Sequence, residues 1–180
     1  MKKMLLLVGP SGSGKSTVEK VLSENGFYKV ISHTTREKRD GEIHGKDYYF
    51  VTKEEFESNK DNFIEVAKFG GNYYGAHSSE VSTHYNIVIV VEPDGAKQIL
   101  QWGKLNNVQV LIAYLDTSKE TQVTRMKSRG DKVELIEKRM ILDNIREKSE
   151  DLDIDIKINT EKLSPTGVVN LLITFYNEVR

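Results

Sequence analysis

The chain has 180 residues, and its 26 Lys and Arg against 27 Asp and Glu leave a formal net charge of -1. This balance argues against a protein that is held on nucleic acid or on an anionic membrane mainly by bulk charge. The absence of Cys excludes a disulfide scaffold, a thiolate zinc site and a cysteine nucleophile. From length and composition we expect one cytoplasmic domain, a monomer or homodimer, with neither nucleic acid nor a membrane as its partner.

In the amino-terminal half, hydrophobic periodicity predicts a strand at residues 4–8, a glycine-rich turn, a helix at about 15–24 and a strand at 27–31. From residue 32 to about residue 83 the sequence becomes aromatic and glycine-rich, with short alternating runs. We interpret this stretch as a small mixed lobe that is inserted into the rest of the fold. Its predicted elements are short strands at 48–51 and 63–69 and a helix near 54–59.

In the carboxyl-terminal half, the apolar runs at 87–92 and 108–115 are typical of strands that are buried on both faces of a parallel sheet. Two charged helices, at about 119–128 and 132–148, are followed by a short strand at 155–158 and a final amphipathic helix. Strands that alternate with helices in this way predict an α/β fold with a three-layer core around a parallel sheet.

Residues 9–16, Gly-Pro-Ser-Gly-Ser-Gly-Lys-Ser, match the phosphate-loop (P-loop) pattern G-x-x-x-x-G-K-[ST] between a predicted strand and a predicted helix. The glycines let backbone N–H groups turn inward around a polyphosphate, where the helix N-terminus adds a favourable partial charge. Lys15 would reach the β- and γ-phosphates, and the Ser16 hydroxyl would bind Mg²⁺. The flanking elements disfavour a chance glycine-serine turn and predict a P-loop NTPase core. The residues predicted to bind ATP here are Gly9, Ser11, Gly12, Ser13, Gly14, Lys15, Ser16 and Thr17.

Beyond the P-loop, a series of short motifs occurs over nearly the whole chain. The motifs are S-x-T-T-R-x-x-R at 32–39, G-x-D-Y-x-F at 45–50, F-I-E at 63–65 and G-N-Y-Y-G at 71–75. Each motif is weak alone, but with the P-loop, in this order and near this spacing, the chain resembles a guanylate kinase. The resemblance implies a nucleoside-monophosphate-binding lobe at 32–83 and a helical lid at 118–140, around a core made of 1–31, 84–117 and 141–180.

The same resemblance implies a site for the acceptor nucleotide, GMP or dGMP. Its residues would be Ser32, Arg36, Arg39, Tyr48, Glu65 and Tyr74. Arginine forks bind phosphate oxygens in pairs, although either arginine by itself would more often be a solvated surface residue. A carboxylate at Glu65 can accept hydrogen bonds from N1–H and from the 2-amino group of guanine. Adenine would turn a lone pair at N1 toward it, so Glu65 could carry most of the base discrimination.

The two charged helices and the turn between them hold Arg125, Arg129 and Arg139. In the resemblance these match arginines of the lid at 118–140 that reach the transferring phosphates, where charge spreads over three equatorial oxygens. The alternative is an amphipathic, salt-bridged helix pair in which the arginines are only solvated. Asn159 matches a position near the adenine of the ATP donor.

Two positions depart from the family pattern. Ala76 stands where the family usually has a Ser or Thr that bonds guanine, and losing one neutral hydrogen bond costs ~0.5–1.5 kcal/mol. When the sequences are aligned on Gly95, Val90 and Glu92 stand where the family usually has two acidic residues two positions apart. Because side chains two apart on a strand share a face, we expect Glu92 to point into the cleft and count it among the residues that bind GMP.

The predicted reaction is Mg²⁺-dependent transfer of the γ-phosphoryl group of ATP to GMP or dGMP, which gives ADP and GDP or dGDP. No general base is needed, because the acceptor phosphate is largely a dianion at neutral pH. The predicted catalytic residues are Lys15, Arg36, Arg39, Arg129 and Arg139. Two alternatives stay open: a kinase of the same fold for another (deoxy)nucleoside monophosphate, and a guanylate-kinase-like binding module without catalysis, against which the intact P-loop argues.

Overall fold

The computed structural model describes residues 2–147 and 152–179. The strands in these ranges are β1 (Lys2–Val8), β2 (Tyr28–Lys29), β3 (His33–Thr34), β4 (Tyr49–Phe50), β5 (Phe63–Phe69), β6 (Asn72–His77), β7 (Asn86–Val90), β8 (Val108–Asp116) and β9 (Ile156–Asn159). The helices are α1 (Lys15–Glu24), α2 (Lys53–Ser58), α3 (Ser78–Ser82), α4 (Pro93–Asn106), α5 (Lys119–Ser128), α6 (Val133–Glu147) and α7 (Pro165–Glu178).

The core sheet has the strand order β2-β7-β1-β8-β9, and all of its pairs are parallel. Residues 4–8 of the central strand β1 are buried because both faces of the sheet are covered. Leu5 and Leu7 belong to one cluster with residues of α1 and α7, and Met4 and Leu6 belong to the opposite cluster with residues of α4. This alternation is the period-2 geometry of a strand, and the predicted three-layer parallel α/β core is confirmed.

A second sheet, with the strand order β4-β3-β6-β5, is formed between residues 33 and 77. Its pairs are mixed, parallel between β3 and β4 and antiparallel elsewhere. Phe56 of α2 is buried against this sheet, with its ring 4.7 Å from that of Phe63. The sheet is attached to the core through Gln98 of α4, which donates to Val66 O at 2.8 Å and accepts from Val66 N at 3.0 Å.

The prediction at residues 87–92 was wrong in one respect that concerns the site. β7 ends at Val90, and Glu92 is the N-cap of α4, whose first residue is Pro93. Proline has no N–H for a sheet ladder but is favoured in the first turn of a helix, so the chain leaves the sheet here. The side chains of Val90 and Glu92 therefore do not share a strand face. α4 itself was not among the predicted elements.

The helices α5 and α6 follow the predicted bounds closely, and the end predicted at residue 148 lies outside the described residues. They contact each other and are joined by a turn in which Gly130 has a φ of 86°. Met126 and Ile136 are buried, one from each helix. None of the described helices is long and apolar enough to cross a membrane.

Candidate active site

The turn between β1 and α1 is tightly packed against the rest of the core. Gly9, Gly12 and Gly14 have φ values of 144°, 79° and 95°, in the region that favours glycine. A Cβ at Gly12 would lie 2.8 Å from the backbone oxygen of Gln122, and one at Gly9 would overlap the backbone oxygen of Leu115. All three glycines therefore suit the backbone of the turn, and Gly9 and Gly12 also allow its close approach to neighbouring backbone.

Lys15 lies at the start of α1, and its ammonium group is folded back onto the loop. Its Nζ donates to Gly9 O at 2.5 Å and to Pro10 O at 2.8 Å. Burial lowers the pKa of Lys15, and the negative charges of Glu92 and Asp143 oppose this effect. Asp143 of α6 also accepts a hydrogen bond from the backbone N–H of Ser11 at 2.9 Å. A carboxylate therefore binds a backbone donor of the loop in this structure.

On the second sheet, the guanidinium group of Arg36 is held by a carboxylate and by aromatic rings. It donates to both oxygens of Glu42, at 2.8 and 3.0 Å, and lies 5.5 Å from the centre of the Tyr48 ring. The same carboxylate accepts from the backbone N–H of Arg39 at 2.8 Å. The rings of Tyr48 and Tyr74 are 6.0 Å apart, and burial raises the pKa of Tyr48. Two arginines and two phenols therefore face one region.

Glu65 of β5 is an acidic residue that is almost completely buried, with 3% of its surface exposed. Burial raises the pKa of Glu65 to about 8, against the lowering effect of the hydrogen bond from the backbone N–H of Ala76. The negative charge of Glu92 acts in the same direction as burial. The side chain of Ala76 is itself fully buried in the core cluster, so only its backbone reaches the carboxylate.

In the turn between α5 and α6, one carboxylate holds two arginines together. Asp131 Oδ2 accepts from Arg129 Nε at 3.0 Å and from Arg139 at 2.8 Å. Although burial acts to raise the pKa of Asp131, the hydrogen bond from Arg129 and the charges of the arginines hold it below its usual range. Arg125 has other partners: it donates to Gly12 O at 3.2 Å and to Thr160 O at 3.0 Å, and so connects the P-loop to the segment after β9.

Sixteen of the nineteen residues that the sequence predicted for the site line one cavity of about 360 Å³. They are Ser11, Gly12, Gly14, Lys15, Ser16, Thr17, Ser32, Arg36, Arg39, Tyr48, Glu65, Tyr74, Glu92, Arg125, Arg129 and Arg139. Of the other three, Gly9 lies at the base of the loop and Ser13 is fully buried beneath it. Asn159 lies at the end of β9, where its Oδ1 accepts from Glu161 N at 2.9 Å.

Three acidic residues at the site were not predicted from the sequence: Glu42, Asp131 and Asp143. Glu42 follows the arginine motif closely, and Asp131 stands two residues after Arg129, so proximity in the chain was a signal in both cases. Asp143 is four residues after Arg139 on α6 and therefore on the same face of the helix, but its contact with the P-loop spans 132 residues. Local patterns do not indicate a contact of that range.

Two side chains at this cavity have oxygen atoms that could be ligands of a divalent cation. Ser16 is in the first turn of α1 and Glu92 occupies the N-cap position of α4, and both line the cavity. Hydroxyl and carboxylate oxygens suit Mg²⁺, which is usually held by one or two protein ligands together with phosphates. Within residues 2–147 and 152–179 there is no group of three or more His or acidic side chains that could hold a metal ion by themselves.

Comparison with known proteins identifies the family. A sequence model of the guanylate kinase family matches residues 1–166. The chain is 40% identical over 143 residues to the guanylate kinase of Clostridium tetani, a match that covers 74% of this chain and 67% of the relative. It is 38% identical over 149 residues to the guanylate kinase of Prochlorococcus marinus (strain MIT 9312), which covers 78% and 79%.

The fold leads to the same family. A crystal structure of guanylate kinase from Anaplasma phagocytophilum superposes with a TM-score of 0.69 at 25% identity, and the match covers 99% of this chain and 87% of that one. These relatives do not favour a kinase for another nucleotide or a binding module without catalysis. The chain belongs to the guanylate kinase family, whose members are nucleotide kinases that phosphorylate GMP with ATP.

Proposed function

We propose that the protein carries out Mg²⁺-dependent transfer of the γ-phosphoryl group of ATP to GMP and dGMP in the cytoplasm. The observation that carries the proposal is the convergence of the P-loop, Glu65 and the arginines on one cavity. In this proposal residues 32–83 form the lobe that binds the acceptor and 118–140 form the lid. The remaining segments, 1–31, 84–117 and 141–180, form the core.

The donor is bound by the P-loop. The backbone N–H groups at the start of α1 donate to the β- and γ-phosphate oxygens, and the ammonium group of Lys15 moves from Gly9 O and Pro10 O onto these phosphates. Ser16 and Glu92 are the residues that would hold Mg²⁺ together with the phosphates. When bound, the ion neutralises charge on the β- and γ-phosphate oxygens.

The acceptor is bound at both of its ends. The phosphate is bound by Arg36 and Arg39 together with Tyr48 and Tyr74. Arg36 either leaves the carboxylate of Glu42 for the phosphate or binds both groups at once. At the other end, Ser32 and Glu65 bind guanine. The ionised carboxylate of Glu65 accepts from N1–H and from the 2-amino group, which is a pattern that adenine does not offer. Base identity is therefore checked away from the reacting phosphate.

Transfer itself depends on position and charge. The acceptor phosphate is largely a dianion at neutral pH and attacks the γ-phosphorus without a general base, while the bond from that phosphorus to the β–γ bridging oxygen breaks and ADP leaves. Arg129 and Arg139, which Asp131 holds side by side, neutralise the charge that spreads over the equatorial oxygens. Closure of the lid and the lobe excludes water and so suppresses ATP hydrolysis.

A panel of acceptors tests this proposal. Release of ADP is measured by a coupled assay with GMP, dGMP, AMP, UMP or dTMP as acceptor, at equal ATP and Mg²⁺. We expect turnover with both guanine nucleotides and at least about 10²-fold lower kcat/KM with the others, since an unpaired buried polar group is costly. EDTA in excess should abolish turnover and added Mg²⁺ should restore it. Absence of turnover with GMP and dGMP would contradict the proposal.

The substitution Arg36→Ala tests the acceptor end. Each hydrogen bond to a charged group contributes about 1.5–3 kcal/mol, so we expect the KM for GMP to rise by about 10- to 100-fold while the KM for ATP changes little. The measurement is initial-rate kinetics with each substrate varied in turn. Lys38→Ala, which removes an exposed charge from the same segment, is the matched control. Equal effects of the two substitutions would show that only bulk charge matters.

A further inference from the structure

The first turn of α4 lies directly beside the carboxyl group of Glu65. Gly95 is the third residue of α4 and is buried. A Cβ placed on Gly95 would lie 2.6 Å from Glu65 Oε2 and 3.4 Å from Glu65 Cδ. The first of these distances is well inside van der Waals contact. The carboxylate therefore keeps this position only because residue 95 has no side chain.

Backbone conformation does not explain this glycine. Gly95 has no positive φ, so another residue could adopt its helical conformation without strain. The other glycine of α4, Gly103, lies against β8 instead, where a Cβ would be 2.5 Å from Val110 Cγ2 and 2.9 Å from Val108 O. The group that excludes a side chain at residue 95 is thus specifically the carboxyl group of Glu65.

Neighbouring groups on β6 and α4 hold the carboxylate of Glu65 in its position. The group accepts from the Ala76 N–H on β6 and lies at the N-terminal turn of α4, where the helix dipole favours negative charge. Gln98 connects α4 to β5 through two hydrogen bonds with Val66, the neighbour of Glu65 in the chain. The spacing between the helix and the strand is therefore set next to the carboxylate. A new side chain on α4 would displace the carboxylate rather than the strand.

We propose that Gly95 is a positioning residue for recognition of the acceptor base, because its missing side chain leaves the place from which Glu65 reads guanine. The inference deepens the proposed function and rests on the role of Glu65 in it. The carboxylate is the far end of a flexible side chain, so a Cβ at residue 95 is accommodated by moving that group into the cavity. The protein folds, but the two acceptor oxygens leave the plane of the guanine edge.

The substitution Gly95→Ala is the direct test. We expect the KM for GMP to rise by about tenfold or more, because a misplacement of about 1 Å can cost about 10²-fold. The KM for ATP should change less than twofold. The ratio of kcat/KM for GMP to that for inosine monophosphate, which lacks the 2-amino group, should fall by a similar factor. The melting temperature should not fall, because Ala is the better helix former.

Gly167→Ala is the matched control, since Gly167 is also the third residue of a helix that begins with proline and does not line this cavity. It should leave all of these constants within twofold of the parent. A parent-like KM for GMP and a parent-like GMP-to-inosine-monophosphate ratio in Gly95→Ala would overturn the proposal. An equal rise in the KM for ATP would also overturn it, because that result indicates general damage.

Double substitutions separate positioning from packing. Glu65→Asp shortens the side chain by one methylene, so Gly95→Ala combined with Glu65→Asp should discriminate better than Gly95→Ala alone. In a Glu65→Ala background, Gly95→Ala should change the KM for GMP less than twofold, since no carboxylate is left to displace. Additive effects would overturn the proposal. If Glu65→Ala keeps the parent discrimination between GMP and inosine monophosphate, both the proposed role of Glu65 and this inference fail. If Gly95→Ala keeps that discrimination but Glu65→Ala loses it, the role of Glu65 stands and only this inference fails.

Discussion

Replacing Lys15 with Met is expected to lower kcat on the order of 10³-fold, because a cation that touches the transferring phosphates stabilises charge that develops in the transition state. Met has a similar length and no charge, so the substitution removes the ammonium group without opening a large gap. It also relieves the desolvation that lowers the pKa of Lys15, so the melting temperature should not fall. The measurement is ADP release at saturating ATP and GMP.

Lys20→Met is the matched control for this experiment. Lys20 is on the same helix, α1, but it is exposed and outside the cavity. We expect its kcat to stay within twofold of the parent. A Lys15→Met protein that keeps kcat within tenfold of the parent would remove the P-loop lysine from the proposed mechanism.

The second large effect is expected for Glu65→Gln. The amide would turn either an N–H group or a single acceptor toward the two donors of guanine, so kcat/KM for GMP should fall by about 10²-fold, the usual effect of losing hydrogen bonds to a charged group. The same amide can pair with the donor and acceptor of adenine, so kcat/KM for AMP should rise or stay constant. Glu57→Gln, at an exposed position on α2, is the control. Unchanged GMP-to-AMP discrimination would refute the role of Glu65.

The shifted pKa of Glu65 adds a pH signature to this prediction. Because burial raises the pKa of Glu65 to about 8, this carboxyl group is mostly protonated at pH 7 in the free protein. Binding of guanine requires the ionised carboxylate. GMP binding should therefore release a proton, and affinity should rise from pH 7 to 8.5. Calorimetry in buffers of different ionisation enthalpy measures that proton, which should be missing in Glu65→Gln. Equal proton release in both proteins would contradict the assignment.

The pKa of Glu65 also makes folding stability depend on pH, with the opposite sign to the dependence of GMP affinity. Between the ordinary pKa of 4.5 and the raised value of about 8, the folded protein binds more protons at Glu65 than the unfolded chain does. Its contribution to the free energy of unfolding is therefore present at low pH and is lost as pH rises through this window. Stability and recognition thus make opposite demands on one carboxyl group, as is common at functional sites.

Features that depend on a few neighbouring residues were predictable from the sequence. The P-loop glycines have the positive φ values that the motif requires, and the bounds of α1 and α5 agree with the predicted ones. The parallel core sheet followed from apolar runs that alternate with helices. α4 was missed, and the predicted strand was extended two residues beyond Val90 to Glu92, which is the N-cap residue of α4.

The sequence by itself determined the fold class, the family resemblance and the polar side chains that line the cavity. Only the tertiary structure decided how those side chains are held: Arg36 by Glu42, Arg129 and Arg139 by Asp131, and the P-loop by Asp143. It also decided that Gly95 makes room for Glu65, thirty residues earlier in the chain. The physical reason is that local patterns arise from backbone geometry within a few residues. Which distant atoms share a buried space depends instead on how β5 packs on α4 and how α6 packs on the P-loop.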